Sequence, residues 1–143
     1  MMNLMEMVCV MFAMVFFTSV ALIYNRGAWS QKERLYDANS FVQATVLAHS
    51  VLDEIDAKLL SKDLAFDQII TNYNVNRNVN LDYVGEAYTL AITAVQADST
   101  GQALATPITG SIFTRVSVRV SALSGLREPL QISRLFTKTH LNL

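Results

Sequence analysis

From Leu4 to Tyr24 the chain reads LMEMVCVMFAMVFFTSVALIY, an apolar run with one ionisable side chain, Glu6. A helix needs about 20 such residues to cross the hydrocarbon core of a bilayer. The run therefore predicts a helix that enters or spans a membrane. A carboxylate costs roughly 2.5–3.5 kcal/mol at the centre of such a helix. Near the start it costs less, and it still calls for a partner. Asn25-Arg26-Gly27 marks the exit from the apolar region, with Gly27 a loosened point, since Gly costs about 1 kcal/mol against Ala in a helix interior. Trp29 follows at the depth of an interfacial aromatic.

Helical periodicity then returns. Leu35, Ala38, Val42, Val46, His49, Leu52, Ile55 and Leu59 follow three- and four-residue steps and predict one apolar stripe of an amphipathic helix. Lys32, Glu33, Asp37, Gln43, Asp53, Asp56 and Lys58 are expected on the other side, and Glu54 with Lys58 forms a favourable i,i+4 pair. No proline occurs before Pro107. One helix from Leu4 to about Lys62 would measure roughly 90 Å at 1.5 Å per residue. Its apolar surface needs lipid or other chains to cover it.

Beyond Asp63 the period changes. Thr71 to Asp82 reads TNYNVNRNVNLD and is expected to be an exposed loop, because Asn tolerates left-handed turns. A polar edge strand or a subunit contact is the alternative; extended, it would set Asn against Tyr73, Val75, Arg77, Val79 and Leu81. Three strands are predicted at about 87–96, 111–123 and 130–139. Their inward sets are Tyr88, Leu90, Ile92 and Ala94; then Ile112, Val116, Val118, Val120 and Ala122; then Leu130, Ile132, Arg134 and Phe136. Asp98–Gly110 is a loop and Gly125–Pro129 a turn. A long helix followed by a small antiparallel sheet is an α+β arrangement. The expected division is an apolar helix at 1–27, to be covered by a membrane or by other chains, and a globular domain at 28–143, its amphipathic helix at 28–62.

Composition narrows the functional classes. With 143 residues and 52% hydrophobic content, removing the apolar stretch leaves enough chain for one small core. The net charge of −1 gives no electrostatic case for nucleic acid. Cys9 is the one cysteine, so no intramolecular disulfide forms. The methionines all fall between Met1 and Met14 and read as helix-packing filler. The acidic group Asp53, Glu54 and Asp56 reads as a solvated helix face. His49, Ser50 and Asp53 lie too close along one helix to form a triad, His140 has no recognisable motif, and no metal or cofactor motif occurs. No enzyme activity and no cofactor are expected. No Lys or Arg precedes Arg26, the apolar run is longer than a signal peptide's, and the following residues make a poor cleavage site. The segment is expected to stay in the working protein, and the missing positive start suggests that something has already been removed ahead of Met1.

Asn3-Leu4-Met5-Glu6, the apolar helix to Tyr24, the amphipathic continuation and the sheet together resemble the type IV pilin superfamily, which includes the pseudopilins. The lone early glutamate is the most specific part. The resemblance implies a basic leader removed by a prepilin peptidase, a methylated N-terminus, and subunits that wait in the inner membrane. The assembly machinery then draws them into an extracellular helical filament used in adhesion or motility. It assigns assembly and processing to Met1, Met2 and Glu6, with Glu6 pairing to the N-terminal amine of a neighbour. It assigns the filament core to Leu4, Met7, Val8, Met11, Phe12, Val15, Phe16, Val20, Leu22 and Ile23. Glu6 stands at the family's position if Met2 is the mature terminus, and one residue late if Met1 is. The usual late proline and the disulfide-closed loop are missing, which points to an atypical, disulfide-free member. Thr18-Ser19 or Gly27 would supply any kink.

Three roles follow as expectations. The first is the structural subunit of a type IV pilus-like filament, a homopolymer joined through its N-terminal helices. The second is a minor pilin or pseudopilin of a secretion or pilus machine. The third is a single-span membrane-anchored scaffold or sensor, favoured by Arg26, Lys32 and Arg34 just after the apolar segment.

Overall fold

The structure is a computed structural model that describes residues 3–81, 86–106, 108, 110–123, 126 and 128–138. Expectations placed on Met1, Met2, Pro107, Gly125 and His140 lie outside these residues, as does the extension of the last strand to Thr139. Helix α1 (Leu4–Leu60) is followed by a 3-10 turn (Phe66–Gln68), helix α2 (Ile69–Tyr73) and strands β1 (Val75–Leu81), β2 (Glu86–Gln96), β3 (Phe113–Ala122) and β4 (Leu130–Thr137). The fold is α+β. The four strands form one sheet in the order β1-β2-β3-β4, each neighbour antiparallel. The chain divides into two compact units, Met1–Ala38 and Asn39–Leu143.

In the second unit, residues 39–60 of α1 cover one face of the sheet. The core joins Ala44, Ala48, Leu52, Ile55 and Leu59 of the helix to Tyr88, Leu90, Ile92 and Ala94 of β2. Val116, Val118 and Val120 of β3, Phe136 of β4, and Leu64, Phe66, Ile69 and Tyr73 of the connecting segment complete it. Alternation is what places them there, since side chains two apart on a strand share a face. Ile112, expected to point inward, precedes β3 and is exposed, and Thr114 takes the buried position.

The buried stripe of the helix differs from the predicted one above Leu52. Ser40, Ala44 and Ala48 are buried, whereas Leu35, Ala38, Val42, Val46 and His49 are exposed. Val42, Ala44, Val46 and Ala48 alternate, and alternate residues of a helix fall roughly 200° apart, on opposite sides. The bulkier pair suggests the wrong side. The sheet is covered instead by the side with the small side chains, Ser40, Ala44 and Ala48. Buried Ser40 is satisfied there: its Oγ lies 3.3 Å from Glu86 Oε2, and the Tyr88 hydroxyl lies 2.6 Å from the same oxygen.

The Asn-rich stretch is not a loop. It ends α2 and becomes β1, pairing with β2 from Val75↔Ile92 to Leu81↔Glu86. Asn76, Asn78 and Asn80 are exposed, and Arg77, Val79 and Leu81 half-buried. Asn74 joins the two elements. Its Nδ2 donates to the Ile70 carbonyl (2.9 Å) and the Ala94 carbonyl (3.1 Å), while its Oδ1 accepts the Ala94 N–H (2.7 Å). One side-chain amide thus closes the last turn of α2 and stands in for a backbone rung on β2.

The acidic group of α1 is not simply solvated. Glu54 receives Arg77 of β1 (2.7 Å), Lys58 (2.6 Å) and the Tyr73 hydroxyl (3.0 Å). Arg134 of β4 reaches Asp53 (2.9 Å) and Asp56 (2.5 Å). The two edge strands are therefore each fastened to the same stretch of helix. The Arg77 hydrogen bond holds the Glu54 carboxyl at about 2, against burial, which pushes it the other way. Because the folded value lies below the unfolded one, this group's contribution is complete above about pH 4.5 and is lost as the pH falls towards 2. Urea titrations followed by the near-UV signal of packed Tyr73 and Tyr88 should show the wild-type midpoint falling through that window. The fall should be shallower in Glu54→Gln. Identical pH profiles would show that the contact does not stabilise the fold.

Candidate functional site

The site that stands out is the surface of α1 in the first unit. Every large hydrophobic side chain from Leu4 to Tyr24 is exposed, from 45% at Val8 and Val10 to 81% at Leu4. Phe16 and Phe17, about 100° apart on the helix, are 68% and 74% exposed, and among the described residues every one from 3 to 36 is exposed. It is long and apolar enough to cross a membrane. All ten residues assigned to a filament core, Leu4, Met7, Val8, Met11, Phe12, Val15, Phe16, Val20, Leu22 and Ile23, lie uncovered on it. Exposed Cys9 lies there too.

Two hydroxyls within this surface, those of Thr18 and Ser19, are satisfied internally. Thr18 Oγ1 donates to the Met14 carbonyl (2.7 Å) and Ser19 Oγ to the Val15 carbonyl (2.8 Å). Such back-bonding hides a hydroxyl from an apolar surrounding. The helix passes without a break through Thr18, Ser19 and Gly27, and a methyl group added at Gly27 would meet nothing. None of the three positions interrupts the helix.

Glu6 sits in the first turn. Its Oε2 accepts the backbone N–H of Asn3 at 3.1 Å, and the Asn3 carbonyl accepts the N–H groups of Glu6 (2.9 Å) and Met7 (3.2 Å). This is half of a capping box: a carboxylate three residues into a helix reaches back to a donor with no partner inside it. The sequence carried that signal as Asn3 followed by Glu6. A negative group there also sits at the positive end of the helix dipole. Asn3 is the site residue that reading by hydrophobicity alone passes over.

Beyond the apolar segment, Lys32 lies 5.5 Å from the Trp29 ring centre and 5.9 Å from that of Tyr36. This aromatic–cation face matches the composition of a membrane–water boundary. In the second unit, Ser50 Oγ donates to the Leu47 carbonyl (2.8 Å) and His49 is exposed. Among the described residues, no group of three or more His, Cys, Asp or Glu is placed to hold a metal ion. A shallow cleft lined by Lys58, Tyr73 and Arg77 has both cations engaged with Glu54.

No protein-family model matches the chain, and neither a curated protein nor a solved structure does.

Proposed function

We propose that the chain is the structural subunit of an extracellular, type IV pilus-like helical filament that polymerises through the helix Leu4–Tyr24. The observation that carries this reading is that, among the described residues, those of the apolar helix are exposed throughout, while the second unit builds its own core. In lipid, apolar helices gain nothing hydrophobic by associating. Drawn out of lipid, the same side chains face water unless neighbours bury them, and each buried Leu, Val, Phe or Met then stabilises by about 1.5–3 kcal/mol. Copies of the same helix are the cover that a polymer supplies. On this reading the unassembled subunit rests in the inner membrane, and a prepilin peptidase and a pilus assembly machine act on it.

Glu6 provides the test, because its two roles separate chemically. Glu6→Gln keeps an oxygen to accept the Asn3 N–H and removes the charge, and Glu6→Ala removes both. Both variants should lose most sheared filaments when expressed with an assembly system, with Tyr73 and Tyr88 still packed. Glu6→Gln alone should keep wild-type helix content. Normal filaments from both would defeat the pairing role.

A second reading, a single-span scaffold or sensor, is favoured by Trp29, Lys32 and Tyr36, with Arg26 and Arg34, beside the apolar segment. It predicts detergent-bound particles and no fibre at any stage. A minor pilin or pseudopilin would instead be scarce in sheared fibres.

A further inference from the structure

We propose that β1 is a self-pairing edge, at which two copies of the chain join β1 to β1 antiparallel in a register centred on Asn78. The strand has one neighbour, β2, and pairs with it residue for residue over Val75–Leu81 without a bulge. Among the described residues, no loop or helix supplies a backbone hydrogen bond to β1 beyond that ladder. Natural sheet edges are commonly blunted by lysine, proline or a bulge, because a bare row of N–H and C=O groups recruits another strand. β1 has no lysine and no proline. Its one charge, Arg77, points inward and is held by Glu54.

The sequence of the strand selects a second copy as the occupant. Directly opposed residues of an antiparallel pair share a face. With Asn78 opposite Asn78, the exposed row pairs Asn76 with Asn80, so every outward contact is Asn against Asn. An Asn amide carries both donors and an acceptor, so such a row complements itself without charge. On the inward row Val75, itself exposed, meets Leu81, and Arg77 meets Val79. Centring on Arg77 would set two guanidinium groups opposite each other, and centring on Val79 would carry the pairing beyond β1. Only the Asn78 register pairs the whole strand with itself and keeps the two arginines from facing each other.

The proposal does not depend on the filament reading, since it concerns an edge of the second unit. The test uses the purified full chain at high concentration in mild detergent, in a Cys9→Ser background, with a short bifunctional thiol reagent. Asn78→Cys should give covalent dimer several-fold above the exposed loop control Ser99→Cys. Asn76→Cys mixed with Asn80→Cys should give heterodimer well above either variant alone. Dimer from Asn78→Cys no greater than from Ser99→Cys would overturn the pairing. Dimer from Asn76→Cys alone equal to that from Asn78→Cys would overturn the register.

Discussion

Replacing Phe12 with arginine should abolish membrane retention and fibre formation together while leaving the sheet unit folded. Phe12 is 75% exposed and the chain offers it no packing, so its loss removes nothing from the core. In a bilayer the exchange of Phe for Arg near mid-helix costs roughly 3–4 kcal/mol on insertion scales. That is a partition loss of more than about a hundredfold at 1.4 kcal/mol per decade. In a packed filament the guanidinium would be buried without a partner, which costs several kcal/mol more. Cell fractionation and electron microscopy of sheared material read the two effects, and the Tyr73 and Tyr88 near-UV signal reads the sheet unit. Phe12→Leu should behave as wild type. Unchanged fibres from Phe12→Arg would refute the assignment of this helix to a filament core, and unchanged membrane retention would refute its insertion in lipid.

The largest effect on the second unit is expected from Asn74→Ala. The Asn74 amide satisfies both the N–H and the carbonyl of Ala94, a residue 1% exposed. Removing it strands two buried backbone groups, each costing about 1–3 kcal/mol. It also frees the Ile70 carbonyl at the end of α2. A destabilisation of about 2–4 kcal/mol should follow, measured by urea unfolding. Asn72→Ala, an exposed position two residues earlier, should stay within about 0.5 kcal/mol of wild type. Equal effects of the two substitutions would show that the rung contributes nothing.

Asn74 also marks the limit of what the sequence made legible. The apolar helix and strands β2, β3 and β4 show in the order of residues because each rests on local periodicity. The expected ranges 87–96 and 130–139 compare with Glu86–Gln96 and Leu130–Thr137. β1 was obscured because Asn has low strand propensity, and here a neighbouring strand overrides that preference. Its alternation of Asn with Val, Arg, Val and Leu was nevertheless visible as the alternative. The buried face of α1 was obscured because Ala44 and Ala48 are weaker hydrophobic signals than Val42 and Val46. Of the contacts made by Asp53, Glu54 and Asp56, the i,i+4 pair Glu54–Lys58 was legible, but the arginine contacts were out of reach, since those arginines lie 23 to 81 residues away along the chain. In the candidate site, the apolar surface and Glu6 were plain in the sequence. The tie from Glu6 to Asn3 needed the geometry of a helix start.

The two arginine fastenings carry a mechanical consequence. In the second unit, a tensile load along the axis of residues 39–60 would slide Ala44, Ala48 and Leu52 across the sheet while straining Arg77–Glu54 and Arg134–Asp53/Asp56 in the same motion. Bonds loaded side by side share the force and rupture as a group, unlike bonds peeled one at a time. A load along that axis would therefore be shared by the outermost strands, β1 through Arg77 and β4 through Arg134.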